Sequence, residues 1–196
     1  MLVSENKKFL FVHIQKTGGT SFTRHLESQI PDLSLYFKSH TTYANAEMKY
    51  HTFYKAAFVR NPFDRLVSWY SAMHKNRKNP PNRLQTKTME MADTFEEFIY
   101  NCGDISFKEG WKPFSNNQFD YLTDREGNIG MDFIGRFETI GEDSKTLCQH
   151  LDLEDIEIPH INSSSHQEYQ HYYNDATRKV IEKRFERDLD YFKYSF

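Results

Sequence analysis

Apolar residues fall into short runs separated by polar turns, and the runs carry two different periods. Phe9 to Ile14 is a short stretch of β-forming residues, the pattern of a strand buried on both faces. Gln15 to Gly19 turn the chain, and Phe22, Leu26 and Ile30 then recur every four residues until Pro31. That spacing predicts a helix, with Thr20 or Ser21 placed to cap it. Ala56 to Val59 is a second apolar run, ending at Arg60. Asn61-Pro62 next opens a helix that runs to about His74, with Phe63, Leu66, Val67 and Tyr70 on one side. Residues 44–50 suggest a short helix, and residues 74–87 a basic solvated loop or rim. Thr94-Phe-Glu-Glu97 is a capping box for a helix reaching about Asn101. Met131 to Phe137 suggests a third strand, Gly141 to Leu151 a helix, and residues 159–173 a polar loop. Asp175 is placed to cap a last helix with Ile181, Phe185, Leu189 and Phe192 as its stripe. Strands alternating with helices predict an α/β fold in which helices flank a central parallel sheet, in one domain over residues 1–196.

The first turn carries the most chemistry. A strand runs through a glycine-containing loop into a helix N-terminus, where backbone N–H groups point outward and the helix dipole is positive. Lys16 adds a full charge, and Gly18 and Gly19 let a ligand approach the main chain. The loop is P-loop-like but lacks the Walker A order, because its lysine precedes both glycines. In parallel sheets ligands sit beyond the carboxyl ends of strands. Lys16 and Arg60 both lie just past predicted strand ends, and Ser68 follows eight residues after Arg60. The expectation is two anion sites, one around Lys16 and one around Arg60 and Ser68.

Composition narrows the setting. With 38% hydrophobic and 27% charged residues the chain reads as globular rather than disordered. A formal net charge of −3 gives no global argument for nucleic acid, so an anion site must be local. Two distant cysteines, Cys102 and Cys148, make neither a disulfide framework nor a metal motif. No His, Cys and carboxylate cluster has metal-ligand spacing, so no metal is implied. No apolar stretch approaches the roughly 20 residues of a membrane span. The N-terminus lacks the apolar core of a signal peptide, which makes a cytoplasmic location the expectation.

His13-Ile-Gln-Lys-Thr-Gly-Gly-Thr-Ser21 and Phe58-Val-Arg-Asn-Pro-Phe-Asp-Arg-Leu-Val-Ser-Trp-Tyr70 together resemble the sulfotransferases that use 3′-phosphoadenosine 5′-phosphosulfate, and most closely their carbohydrate branch. Gln15 stands where that branch often has proline. Weaker echoes are Ile134-Gly-Arg-Phe-Glu138, His160-Ile-Asn-Ser-Ser164 and the ending Asp190-Tyr-Phe-Lys-Tyr-Ser-Phe196. The resemblance implies that Lys16, Thr17, Gly18, Gly19, Thr20 and Ser21 hold the 5′-phosphosulfate. It implies that Arg60 and Ser68 hold the 3′-phosphate, and that Asn162 and Ser163 close over the nucleotide. It also implies sulfonate transfer to an acceptor hydroxyl, on a saccharide or glycolipid, leaving 3′,5′-ADP. His40 matches the position of a catalytic histidine between the two motifs, with Lys16 as electrophilic helper.

His51 and Glu47 are the rival bases, and Trp111, Gln118 and Tyr121 are candidate acceptor contacts. Two other classes remain open on these residues: an ATP-dependent P-loop phosphotransferase, and a nucleotide-binding module without catalysis.

Overall fold

A computed structural model describes residues 1–36, 41–75, 82–106, 111–155 and 168–196. They gather into two compact units, one drawn from residues 1–60 and 118–155, the other from residues 61–117 and 168–196.

The first unit is built on a five-stranded sheet in the order β3-β1-β2-β4-β5. Its strands are β1 (Leu2–Ser4), β2 (Phe9–Val12), β3 (Ser34–Leu35), β4 (Tyr54–Val59) and β5 (Phe133–Arg136). Strands β2, β4 and β5 are parallel, as the alternating pattern predicts. The sheet as a whole is mixed, because β1 runs antiparallel to both β2 and β3. Phe9 and Phe11 face one side of β2 and pack with Phe22 and Leu26 of α1 (Gly19–Gln29) and Leu147 and Cys148 of α6 (Ile140–His150). Phe22 meets Phe58 edge-on at 5.1 Å between ring centroids, an arrangement aromatic rings prefer. Leu10 and Val12, on the opposite face, are fully buried as well. That double burial is why β2 reads as an unbroken apolar run rather than an alternating one. α5 (Gln118–Leu122) also belongs to this unit.

The second unit is helical. It holds α2 (Pro62–His74), α3 (Arg83–Met91), α4 (Phe95–Asn101), α7 (Asp175–Arg184) and α8 (Glu186–Phe192). Phe63, Leu66 and Val67 pack with Phe95, Phe98, Phe114, Ile181 and Phe185. Asn61 caps α2 by accepting from the Phe63 N–H, with Pro62 at the first helical position. The Thr94–Glu97 capping box forms in full.

Three local expectations are corrected. The basic stretch is not loop throughout: Asn82 accepts from the Gln85 N–H and starts α3, so Arg83 and Lys87 are helical. The last helix is capped by Asn174, not Asp175, because the Asn174 carboxamide reaches the Thr177 N–H at 2.9 Å. That helix is also broken in two at Phe185. Asn117 explains the break. Its side chain donates to the Arg184 carbonyl at 3.1 Å and accepts from the Asp188 N–H at 3.4 Å. Those are the two groups that would bond each other in a continuous helix, so the amide is inserted into the ladder.

Candidate active site

The loop after β2 has the geometry of an anion cradle. Lys16 and Gly18 both take left-handed backbone angles, with φ of 67° and 78°, while Thr17 between them does not. Residues alternating in hand turn successive N–H groups into one concavity, an arrangement that binds anions. Thr17 is buried, and its hydroxyl donates to the Ile14 carbonyl at 2.9 Å. Its side chain therefore locks the turn.

Gly18 is the N-cap of α1, and no side chain caps that helix. Thr20 is exposed and Ser21 half-exposed, so neither takes the expected capping role; the left-handed Gly18 starts the helix ahead of them. Both glycines are required by space. A Cβ on Gly18 would stand 2.6 Å from Ile140 Cδ1 and 2.8 Å from Phe137 Cδ2. One on Gly19 would stand 2.5 Å from the His13 ring, which places His13 as packing for the loop.

Arg60 follows β4 directly. Its backbone N–H donates to Gln118 Oε1 at 2.9 Å, and Gln118 Nε2 donates back to its carbonyl at 2.7 Å. The buried Gln118 amide thus satisfies both backbone groups of the residue that leaves the sheet. With that amide so engaged, Gln118 serves Arg60, and Tyr121, three residues on, is buried too. Arg60 is itself only 5% exposed. Its Nη1 donates to the Lys16 carbonyl at 3.3 Å, and its guanidinium carbon lies 3.9 Å from the centre of the Phe137 ring. Lys16 and Arg60, expected on sequence to face one crevice, are therefore hydrogen-bonded to each other. Gln118 and Phe137 reach Arg60 from 58 and 77 positions further along the chain (118 − 60 and 137 − 60), and although Phe137 lies in the Ile134–Glu138 echo, neither carried a local signal for this role. Ser68 lies on α2 in the second unit, where it is 9% exposed, and Trp111 is half-buried in the same unit.

His51 and Glu47 are set elsewhere. They share a cleft of about 160 Å³ with Tyr43, Asp124 and Arg125. His51 precedes β4 whereas Arg60 follows it. A six-residue strand spans about 20 Å, so His51 and the Lys16–Arg60 pair sit at opposite ends of the sheet. Glu47 is engaged there by the Tyr36 hydroxyl at 3.0 Å and by Lys49. His40, Asn162 and Ser163 lie outside the described residues.

Among the described residues no group of His, Cys, Asp and Glu could hold a metal ion, and no helix is long and apolar enough to cross a membrane.

The parallel core of the sheet, with a loop of left-handed turns past β2 and a buried arginine past β4, defines an α/β protein whose two cationic groups lie at the carboxyl ends of adjacent strands. Residues 1–195 match the model of the sulfotransferase family, and the chain belongs to that family. It is 27% identical over 175 residues to carbohydrate sulfotransferase 12 of Xenopus laevis, a match covering 76% of this chain and 41% of the frog protein. The chain thus spans about two fifths of that relative's length.

Proposed function

We propose that the protein transfers a sulfonate group from 3′-phosphoadenosine 5′-phosphosulfate to a hydroxyl of a saccharide. The observation that carries this reading is the Arg60 guanidinium beside the Lys16 loop at the carboxyl ends of adjacent parallel strands. A donor with charge at both its 3′ and 5′ ends calls for two such groups, and ordinary ATP has no 3′-phosphate for the second. Lys16 and the N–H groups of residues 17–21 are assigned to the phosphosulfate, and Arg60 to the 3′-phosphate through paired charge-assisted hydrogen bonds. Ser68 joins Arg60 on the sequence motif, as do Asn162 and Ser163 over the nucleotide. The frog relative's name supports a saccharide acceptor.

The step is an in-line displacement at sulfur. The acceptor oxygen bonds to sulfur as its proton passes to His40, the base assigned by its place between the motifs. The bond from sulfur to the bridging oxygen breaks, and its electron pair stays on the phosphate of 3′,5′-ADP. Lys16 offsets that developing charge. The position of His51 before β4, where Arg60 follows that strand, supports His40 over His51 for this role.

The test is transfer of radiolabelled sulfonate to a panel of oligosaccharides. Loss of a general base costs about 10²- to 10⁴-fold, so His40→Ala is expected to lose turnover on that scale while still binding 3′,5′-ADP. Undiminished turnover in His40→Ala, or no transfer by the wild type while ATP is consumed, would overturn the reading.

A further inference from the structure

Phe137 opens the turn after β5 and touches both halves of the candidate site. The Arg60 guanidinium carbon lies over its ring, 3.9 Å from the centroid, and the ring's edge occupies the space that a Gly18 Cβ would need. The turn that carries it is tied down. Asp143 of α6 accepts from the Arg136 N–H at 2.7 Å and from the Thr139 hydroxyl at 2.8 Å. The backbone on either side of Phe137 is therefore anchored to α6.

A guanidinium donates only in its own plane, through five N–H bonds. An aromatic ring against its face sets that plane without using a donor. The Lys16 carbonyl accepts from Nη1. An arginine held in this way need not be ordered again when an anion arrives, so less affinity is lost to entropy. We propose that Phe137 is a positioning residue that fixes the donor plane of Arg60 and thereby sets the preference for a nucleotide carrying a 3′-phosphate. The proposal rests on the assignment of Arg60 to that phosphate.

The experiment is calorimetric titration of the full chain with 3′,5′-ADP and with 5′-AMP, which lacks the 3′-phosphate. The proteins are wild type, Phe137→Leu, Phe137→Met, Phe137→Tyr, Arg60→Ala and Arg60→Ala combined with Phe137→Leu. Phe137→Leu is expected to weaken 3′,5′-ADP about three- to tenfold and to leave 5′-AMP unchanged. Phe137→Tyr, which keeps the ring, restores the wild-type preference. In the Arg60→Ala background the Phe137→Leu change has no further effect on 3′,5′-ADP. Equal losses for both nucleotides, or a loss that persists without Arg60, would show that Phe137 only shapes the Gly18 loop and would overturn the proposal. Phe137→Met, also without a ring, carries the same prediction should Phe137→Leu not fold. A wild type that binds 5′-AMP as well as 3′,5′-ADP would overturn the donor assignment itself. That outcome is distinct from a wild-type preference that Phe137→Leu leaves intact, which overturns the positioning role alone.

Discussion

At the scale of single residues the site is a set of constraints on one loop and one arginine. Gly18 meets two of them at once, a left-handed backbone and a flank closed by Ile140 and Phe137. Gly18→Ala is therefore expected to destabilise the protein by about 1–3 kcal/mol and to weaken anion binding. Thermal unfolding beside a 3′,5′-ADP titration checks both; an unchanged melting temperature would contradict the stated strain. Cys102 shows the opposite kind of residue, buried and chemically quiet. Burial pushes its thiol up to about 11, with Arg184 opposing more weakly. At pH 8 its thiolate is scarce and shielded, and Cys148 is equally buried. A disulfide reagent at pH 8 should thus modify neither thiol in the folded protein and both in denaturant. Rapid labelling of the native chain would contradict that burial.

At the scale of elements, the helices and parallel strands were legible wherever a periodic apolar pattern coincided with a cap. Asn61-Pro62 before α2 and Thr94 with Glu97 before α4 are such places. Strands β1 and β3 were not legible, since three and two residues are too short to show a period, and pairing with neighbours makes them strands. The Gln118 clamp was hidden for a related reason: an amide that bonds a backbone 58 positions away leaves no local trace. Asn117 did the same to the last helix, whose apolar stripe runs on through the break. Replacing Asn117 by Ala leaves the Arg184 carbonyl and the Asp188 N–H without their partner. The cost should be about 1–3 kcal/mol, a shift of about 2–4 °C per kcal/mol in a domain of this size. Chemical denaturation is the check, and a variant as stable as wild type would show that α7 and α8 simply join.

For the whole molecule, the two units divide the assigned residues. The sheet unit, with its core of Phe9, Phe11, Phe22 and Phe58, holds the Lys16 loop and Arg60. The helical unit, packed around Phe63, Phe98 and Phe185, holds Ser68. Membership of the sulfotransferase family rests on nearly the whole chain rather than on one motif. The proposed donor site stands or falls with the assignment of Arg60 to a 3′-phosphate. Its most direct test is calorimetric binding of 3′,5′-ADP, 5′-AMP and ATP to the wild type and to Arg60→Ala. The wild type is expected to prefer 3′,5′-ADP, and Arg60→Ala to lower this affinity at least about tenfold, the scale of hydrogen bonds to charged groups. ATP bound as tightly as 3′,5′-ADP, with Arg60→Ala changing neither, would contradict it.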